Sequence, residues 1–125
     1  MIHLDTGFMI QALVPGTSAD RALRGWLAEG IPLVMSCVAW AELLCGPLEA
    51  RHAGLATRVV TDRVPFDEED AALAARLFNL SGRRRGTLAD CMIAATAIRR
   101  EARLATTNPD DFARLTAAGL VLAAL

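Results

Sequence analysis

Short apolar runs alternate along this chain with longer stretches in which apolar residues recur every three or four positions, the pattern of strands alternating with helices. Ile2, His3 and Leu4 form the first run, which ends at Asp5, and residues 6–14 read as a helix stopped by Pro15-Gly16. Ala19, Ala22, Leu23, Trp26 and Leu27 share one face of a helix over residues 19–28, closed by Gly30 and Pro32. Residues 32–35 read as a second buried strand, with Ser36 placed to cap a helix over residues 37–44 that Gly46-Pro47 breaks. A helix over residues 48–60 and a short strand at Val64-Pro65 follow. Asp67-Glu68-Glu69-Asp70 opens the next helix with acids at the positive end of its dipole, a structural role; Leu73, Leu77 and Leu80 line its buried face as far as Ser81-Gly82. Beyond the Arg83-Arg84-Arg85-Gly86 loop lies a long apolar helix over residues 88–99. Strands at residues 103–106 and 120–123 close the chain, and Asn108-Pro109-Asp110-Asp111 turns between them into a short helix.

This order predicts an α/β fold: a three-layer α/β/α sandwich around a parallel sheet of four or five strands. Such sheets bind ligands outside the carboxyl ends of their strands. The 125 residues suffice for a single domain spanning 1–125. No segment approaches the roughly 18 uninterrupted apolar residues of a membrane-spanning helix, and Met1-Ile2-His3-Leu4-Asp5 lacks a basic leader, so the expected location is the cytoplasm. Cys37, Cys45 and Cys91 are odd in number, form no C-x-x-C pair and lie in apolar segments, which predicts buried thiols rather than disulfides or a zinc site. A net charge of −1 excludes binding to nucleic acid by bulk electrostatics; any such contact must be local. All thirteen basic residues are arginine, a side chain suited to bidentate phosphate recognition.

Most of the fourteen acids have an ordinary surface explanation, but three do not. Glu42 is the single charge in Val38-Ala39-Trp40-Ala41-Glu42-Leu43-Leu44-Cys45, a helix apolar on every other side and therefore expected to be buried. Asp90 is the only ionisable group apart from Cys91 between Leu88 and Ile98, and Asp5 follows the first strand at the edge where α/β proteins place their sites. Capping offers a second account of two of them: Asp5 can cap the helix after it, and Thr87-Leu88-Ala89-Asp90 has capping-box spacing. Glu42 is too far inside its helix to cap it, and the alternative account for it is a solvated face. Clustered carboxylates repel one another unless a cation neutralises them, and oxygen donors without a His or Cys cluster point to Mg²⁺ or Mn²⁺.

The strand ending in Asp5-Thr6, the helix bearing Glu42-Leu43, and Asp90-Cys91-Met92-Ile93-Ala94-Ala95-Thr96-Ala97 leading to Thr106-Thr107-Asn108 and Asp111-Phe112 together resemble the PIN-domain ribonucleases, specifically the VapC-type toxins of prokaryotic toxin–antitoxin pairs. The resemblance covers essentially the whole chain. It implies that Asp5, Glu42 and Asp90 are the three main catalytic acids, with Asp5 and Asp90 holding the metal and Glu42 completing or orienting its shell. Metal-assisted attack by water leaves a 5′-phosphate and a 3′-hydroxyl. It also implies an RNA substrate, a VapB-like antitoxin that blocks the pocket, and a homodimer, for which Trp26, Trp40 and Phe78 are available as interface residues. The chain departs from the family at two places. Asn108 stands where a fourth acid often follows the late strand, so that Asn108 or Asp110 is left to serve as a further ligand, Asp111 being placed to cap the short helix. Gly7 replaces a residue that is usually polar. Arg83, Arg84 and Arg85 form a basic loop expected to hold RNA phosphates. His3 and His52 have no evident catalytic partner. Two other readings are weighed: a non-catalytic PIN-like RNA-binding module, suggested by Asn108, and a homodimeric aspartic protease, suggested by Asp5-Thr6-Gly7. The second conflicts with the strand–helix alternation, since that class is built from strands.

Overall fold

The computed structural model describes residues 1–125. Five strands, β1 (Ile2–Leu4), β2 (Leu33–Ser36), β3 (Asp62–Val64), β4 (Arg103–Ala105) and β5 (Val121–Leu122), form one sheet in the order β3-β2-β1-β4-β5, and every pairing is parallel. Seven helices flank it: α1 (Thr6–Ala12), α2 (Ser18–Ala28), α3 (Cys37–Cys45), α4 (Ala50–Val59), α5 (Glu68–Leu80), α6 (Leu88–Arg99) and α7 (Pro109–Thr116). This is the expected α/β/α architecture with five strands. The first three strands step outward from β1 in one direction, and the α5–α6 crossover then carries the chain back to the other side of β1. A topological switch point therefore lies at the carboxyl ends of β1 and β4, where a crevice opens in such sheets.

Local chemistry explains the boundaries. The Ser36 hydroxyl accepts from Ala39 N–H at 3.1 Å and starts α3 as anticipated. Asp67 and Asp70 form a reciprocal capping box at the start of α5. Thr17 caps α2 by accepting from Asp20 N–H, and Asp20 in turn accepts from the amide of Gly16, whose φ of +86° the turn requires. In α6, Ala94, Ala95 and Ala97 are fully buried, small enough to let the helix lie close against its neighbours. Phe8, Leu4, Met35, Leu77, Ile93 and Leu104 belong to one continuous core, on which Trp26, Trp40 and Phe78 pack from its margin. No helix is long and apolar enough to cross a membrane.

Two expectations about burial do not hold. Only Cys91 is buried; Cys37 and Cys45 are exposed. They lie on the outer side of α3, which buries only Ala39 and Leu43 and leaves Ala41, Glu42 and Leu44 open as well. An apolar composition on all sides does not bury a helix that has only one neighbouring layer.

Beneath the sheet, Asp70 is fully buried and accepts from Arg99 at 2.8 Å and Arg100 at 2.9 Å. Burial alone would raise its pKa, but the guanidinium bonds and the Asp67 amide outweigh burial and hold it at about 2. His3 is buried nearby with neither ring nitrogen hydrogen-bonded. Burial first, and then the Arg100 charge, lower its pKa to about 4. The folded value lies below the unfolded one, so His3 contributes no acid sensitivity above pH about 6.5 and costs up to about 3 kcal/mol of stability as pH falls toward 4. Replacing His3 with Leu is expected to flatten the stability profile between those two pH values and to stabilise the fold by about 1 kcal/mol at neutral pH, through loss of the unpaired nitrogens. Urea unfolding across pH measures both; an unchanged slope would show that His3 is not the acid-sensitive group.

Candidate functional site

The sheet's switch point gathers chemistry from four elements. Asp5 ends β1 with 7% of its surface exposed, its amide donating to Ala105 O at 3.0 Å and its Oδ1 accepting from Phe8 N–H at 2.6 Å. Asp5 thus caps α1, and the same carboxylate faces the crevice. Thr6, next in the chain, reaches across to α3, its hydroxyl lying 3.1 Å from Ala39 O and 3.0 Å from Glu42 Oε1. Glu42 is exposed, contrary to expectation, and is positioned by Thr6 instead of by packing. Asp90 occupies the first turn of α6, but the capping box suggested by Thr87 does not form: Thr87 makes no side-chain cap, and its hydroxyl donates to Arg84 O at 2.7 Å. Asp90 therefore has no helix-capping duty.

Electrostatics shows that these acids face one another. Asp90 is half-buried, and its pKa is raised to about 6, by burial first and then by the negative charges of Asp111, Glu42 and Asp5. Asp5 is also raised, chiefly by burial; the Thr106 hydroxyl and the Phe8 amide pull it back, while Glu42 and Asp111 push it up. Of the acids after β4, Asp111 is thus the one whose charge bears on Asp5 and Asp90. Asp110 lines the same cavity, and both are exposed in the first turn of α7. Asn108 precedes that helix with no side-chain cap. A Cβ on Gly7 would lie 3.6 Å from Thr107 Oγ1, 3.7 Å from Asn108 Nδ2 and 3.8 Å from Asp5 Oδ1, so the missing side chain leaves a small polar cradle beside Asp5.

Basic residues border the acids on one side. A cavity of about 170 Å³ is lined by Arg84, Arg85 and Arg114 together with Asp90, Asp110 and Asp111. Arg114 was not anticipated from the sequence; it reaches the site because its guanidinium donates to Ser81 O at 3.0 Å, across the loop that precedes α6. Its place in α7, one turn beyond Asp110 and Asp111, was the available signal. Arg83 has a different role: it lies over Phe78 at 5.8 Å and donates to Asn79 Oδ1 at 2.5 Å. His52 contacts Arg51 on α4 and His3 is buried within β1, so neither histidine joins the acids.

The donor chemistry suits a hard divalent cation: the acids supply oxygen alone, and Asp5 and Asp90 have no basic partner to neutralise them. No three acid, histidine or cysteine side chains converge at metal-ligand spacing. Mg²⁺ usually keeps several waters and takes only one or two carboxylates directly, and the residues that could supply them here are Asp5 and Asp90.

Comparison with known proteins follows the same lines. The family model for the PIN domain matches residues 2–118. The fold is similar to VapBC2 from Rickettsia felis bound to a DNA fragment from its promoter, at 21% identity over 98% of each chain and a TM-score of 0.76. It is similar also to VapBC-1 from nontypeable Haemophilus influenzae, at 25% identity over 98% of this chain and 97% of that one, with a TM-score of 0.72. A third similar structure is VapBC-5 from Mycobacterium tuberculosis, a member of the VapBC family of toxin–antitoxin systems, at 27% identity over 97% of both chains and a TM-score of 0.62. Sequence comparison with curated proteins finds no match.

The raised pKa of Asp90 fixes the sign of a stability test. A carboxyl whose folded pKa exceeds its unfolded one weakens the fold above that pKa, and the penalty disappears as pH falls toward 4. Without divalent ions at pH 7.5, Asp90→Asn is expected to stabilise the protein by about 1–2 kcal/mol after allowance for solvent screening. The gain should fade below pH 6, and Mg²⁺ should stabilise the wild type more than the variant. Denaturant unfolding across pH, with and without Mg²⁺, is the measurement; a variant no more stable than wild type at pH 7.5 would show that the acids do not repel one another.

Proposed function

The chain belongs to the PIN domain family, and from that premise we propose that it is a Mg²⁺- or Mn²⁺-dependent ribonuclease, the toxin of a VapBC-type toxin–antitoxin pair. The observation that carries this reading is that Asp5 and Asp90, neither with a basic partner, lie within reach of the charges of Glu42 and Asp111 at the carboxyl edge of the sheet, beside a cavity that Arg84, Arg85 and Arg114 line. Asp5 and Asp90 hold the ion, Glu42 orients its shell from α3, and Asp111 supplies the further acid that Asn108 does not, with Asp110 beside it. When bound, the ion supplies Lewis-acid polarisation of the scissile phosphate and acidification of a water. Arg84, Arg85 and Arg114 bind flanking phosphates and hold the strand in register with the acids. In-line displacement leaves a 5′-phosphate and a 3′-hydroxyl.

The aspartic protease reading fails on structure. Asp5-Thr6-Gly7 is a strand-to-helix junction in a parallel α/β fold, with Asp5 serving as a helix cap. Partners follow from the same proposal. An antitoxin segment with an apolar face fits the cavity of about 520 Å³ that includes Leu13, Leu23, Leu27, Leu55 and Val59. A second copy of the chain fits the open side of α3, where Leu44 is exposed, while Trp26, Trp40 and Phe78 are committed to the core margin. A cytoplasmic site of action belongs to this reading.

Cleavage of a mixed single-stranded RNA panel should require Mg²⁺ or Mn²⁺, stop in EDTA, and fall by about 10²-fold or more in Asp5→Asn and Asp90→Asn. RNA binding without cleavage would favour the non-catalytic module, and absence of both would sink the proposal. Within the basic loop, Arg84→Ala with Arg85→Ala should weaken RNA binding and reduce its salt slope by about one to two. Arg83→Ala should leave binding nearly unchanged, because that side chain is held by Phe78 and Asn79. Affinity measured at low and high salt separates the two outcomes.

A further inference from the structure

A second cavity adjoins the acids through Thr106, and it differs in chemistry from the first. The one already described is charged. The other, about 390 Å³, has Gln11, Ser18, Thr106, Thr107, Pro109 and Leu122 among its walls, together with Ala123 and Leu125, and none of these side chains is charged. The two draw on neighbouring residues after β4. Thr106 and Thr107 face the neutral cavity, and Asp110 and Asp111, a few residues on, line the charged one. Thr106 also acts on Asp5 through its hydroxyl, so the neutral cavity begins where the acids end.

Thr106 is already engaged, with Asp5 and with the Asn108 amide, but other polar groups of the walls lack partners within the chain. Thr107 Oγ1 is buried beside Gly7 without a hydrogen bond, a state that folded proteins seldom leave unexplained. Gln11 and Ser18 are exposed on α1 and α2, and neither side chain is engaged elsewhere in the chain. A carboxamide and hydroxyls both donate and accept, and Pro109 and Leu122 add apolar surface between them. The volume falls within the range of about 300–1,000 Å³ typical of small-ligand sites.

We infer that this neutral cavity is a nucleobase subsite, which receives the base of a nucleotide next to the scissile phosphate and sets the sequence preference of cleavage. The inference rests on the ribonuclease reading for its place in the reaction, and on the cavity's own walls for its ligand. A phosphate is excluded by chemistry, since no cation lines the cavity to bind it and Asp5 lies close by. A base is uncharged, has an apolar face, and carries donors and acceptors on its edge, the combination that these walls complement. The arginine cavity holds backbone phosphates, and the neutral cavity reads a base. Affinity and specificity are thereby assigned to different walls.

Two measurements on the full chain test this. In the first, the four nucleoside 5′-monophosphates, with inorganic phosphate as control, are titrated into metal-free protein while backbone amide resonances are followed. Base-dependent shifts should cluster at Gln11, Ser18 and Thr107, be absent with phosphate, and weaken in Gln11→Ala. In the second, products from a randomised RNA pool are sequenced for the wild type, Gln11→Ala and Ser18→Ala, whose exposed positions leave the fold undisturbed. In both variants the preference at one nucleotide flanking the cut should flatten by about three- to tenfold. Nucleotide shifts at these residues in a protein that cuts no RNA would overturn the ribonuclease reading and leave the base subsite standing. Absence of base-dependent shifts, or RNA cleavage whose preference both variants retain, would overturn the subsite.

Discussion

A strand that ends in the middle of a parallel sheet must pass its chain to a helix, and in this protein the residue at that junction is a buried carboxylate. Asp5 is held twice by backbone, through its amide to Ala105 and through its side chain to the Phe8 amide. Its position is therefore as firmly set as that of the sheet. The neighbours depend on it. Thr6 can reach Glu42 and Ala39 because α1 begins directly after Asp5, and Gly7 lies in ordinary contact distance of Thr107 and Asn108 in the β4–α7 segment. Three consecutive residues thus tie the central strand to α3 on one side and to the acids of α7 on the other.

The two ends of α6 show why some buried acids point to chemistry and others do not. Near its carboxyl end, Arg99 and Arg100 converge on Asp70, and the pairing overcomes complete burial to keep that carboxyl ionised far into acid. At its amino end Asp90 is less buried, has no basic partner, and faces three other acids, so its pKa moves the opposite way. Degree of burial does not separate the two; the company does. A structural acid comes with its counter-charge built into the fold. An acid whose counter-charge is missing weakens the protein at neutral pH, which is the usual thermodynamic mark of a site arranged for something that arrives from outside.

Strand–helix alternation was readable because each element is short and ends at a recognisable stop, and caps such as Ser36 and the Asp67–Asp70 pair obey local rules. Asp5 and Asp90 stood out in sequence because each interrupts an apolar segment. Glu42 stood out for a reason the structure removes: α3 is apolar but not buried, and only the long-range bond from Thr6 places Glu42 at the crevice. Asp111 was read as a helix cap because its coupling to Asp90 exists only after α7 folds back beside α6. Arg114 lay beyond local reasoning for the same cause, since its anchor at Ser81 is thirty-three residues away. The exposure of Cys37 and Cys45 likewise depends on how many layers cover α3, a property of the assembled fold and not of the segment.

Under the proposed reading, the acids differ in how freely they can respond to a cation. Asp5 cannot move without breaking the cap of α1. Asp90 is fixed to the first turn of α6 but is released from capping by Thr87, whose hydroxyl turns back to Arg84. Glu42 and Asp111 are exposed, and Glu42 is restrained by a single hydroxyl. Asp111, Glu42 and Asp5 raise the pKa of Asp90, yet the acids do not meet at ligand spacing. The rigid members then decide where the charge sits, and the exposed members adjust to it. An order of this kind favours one firmly placed ion near Asp5 and Asp90, with Glu42 and Asp111 closing on whatever share of its coordination the water and the substrate phosphate leave open.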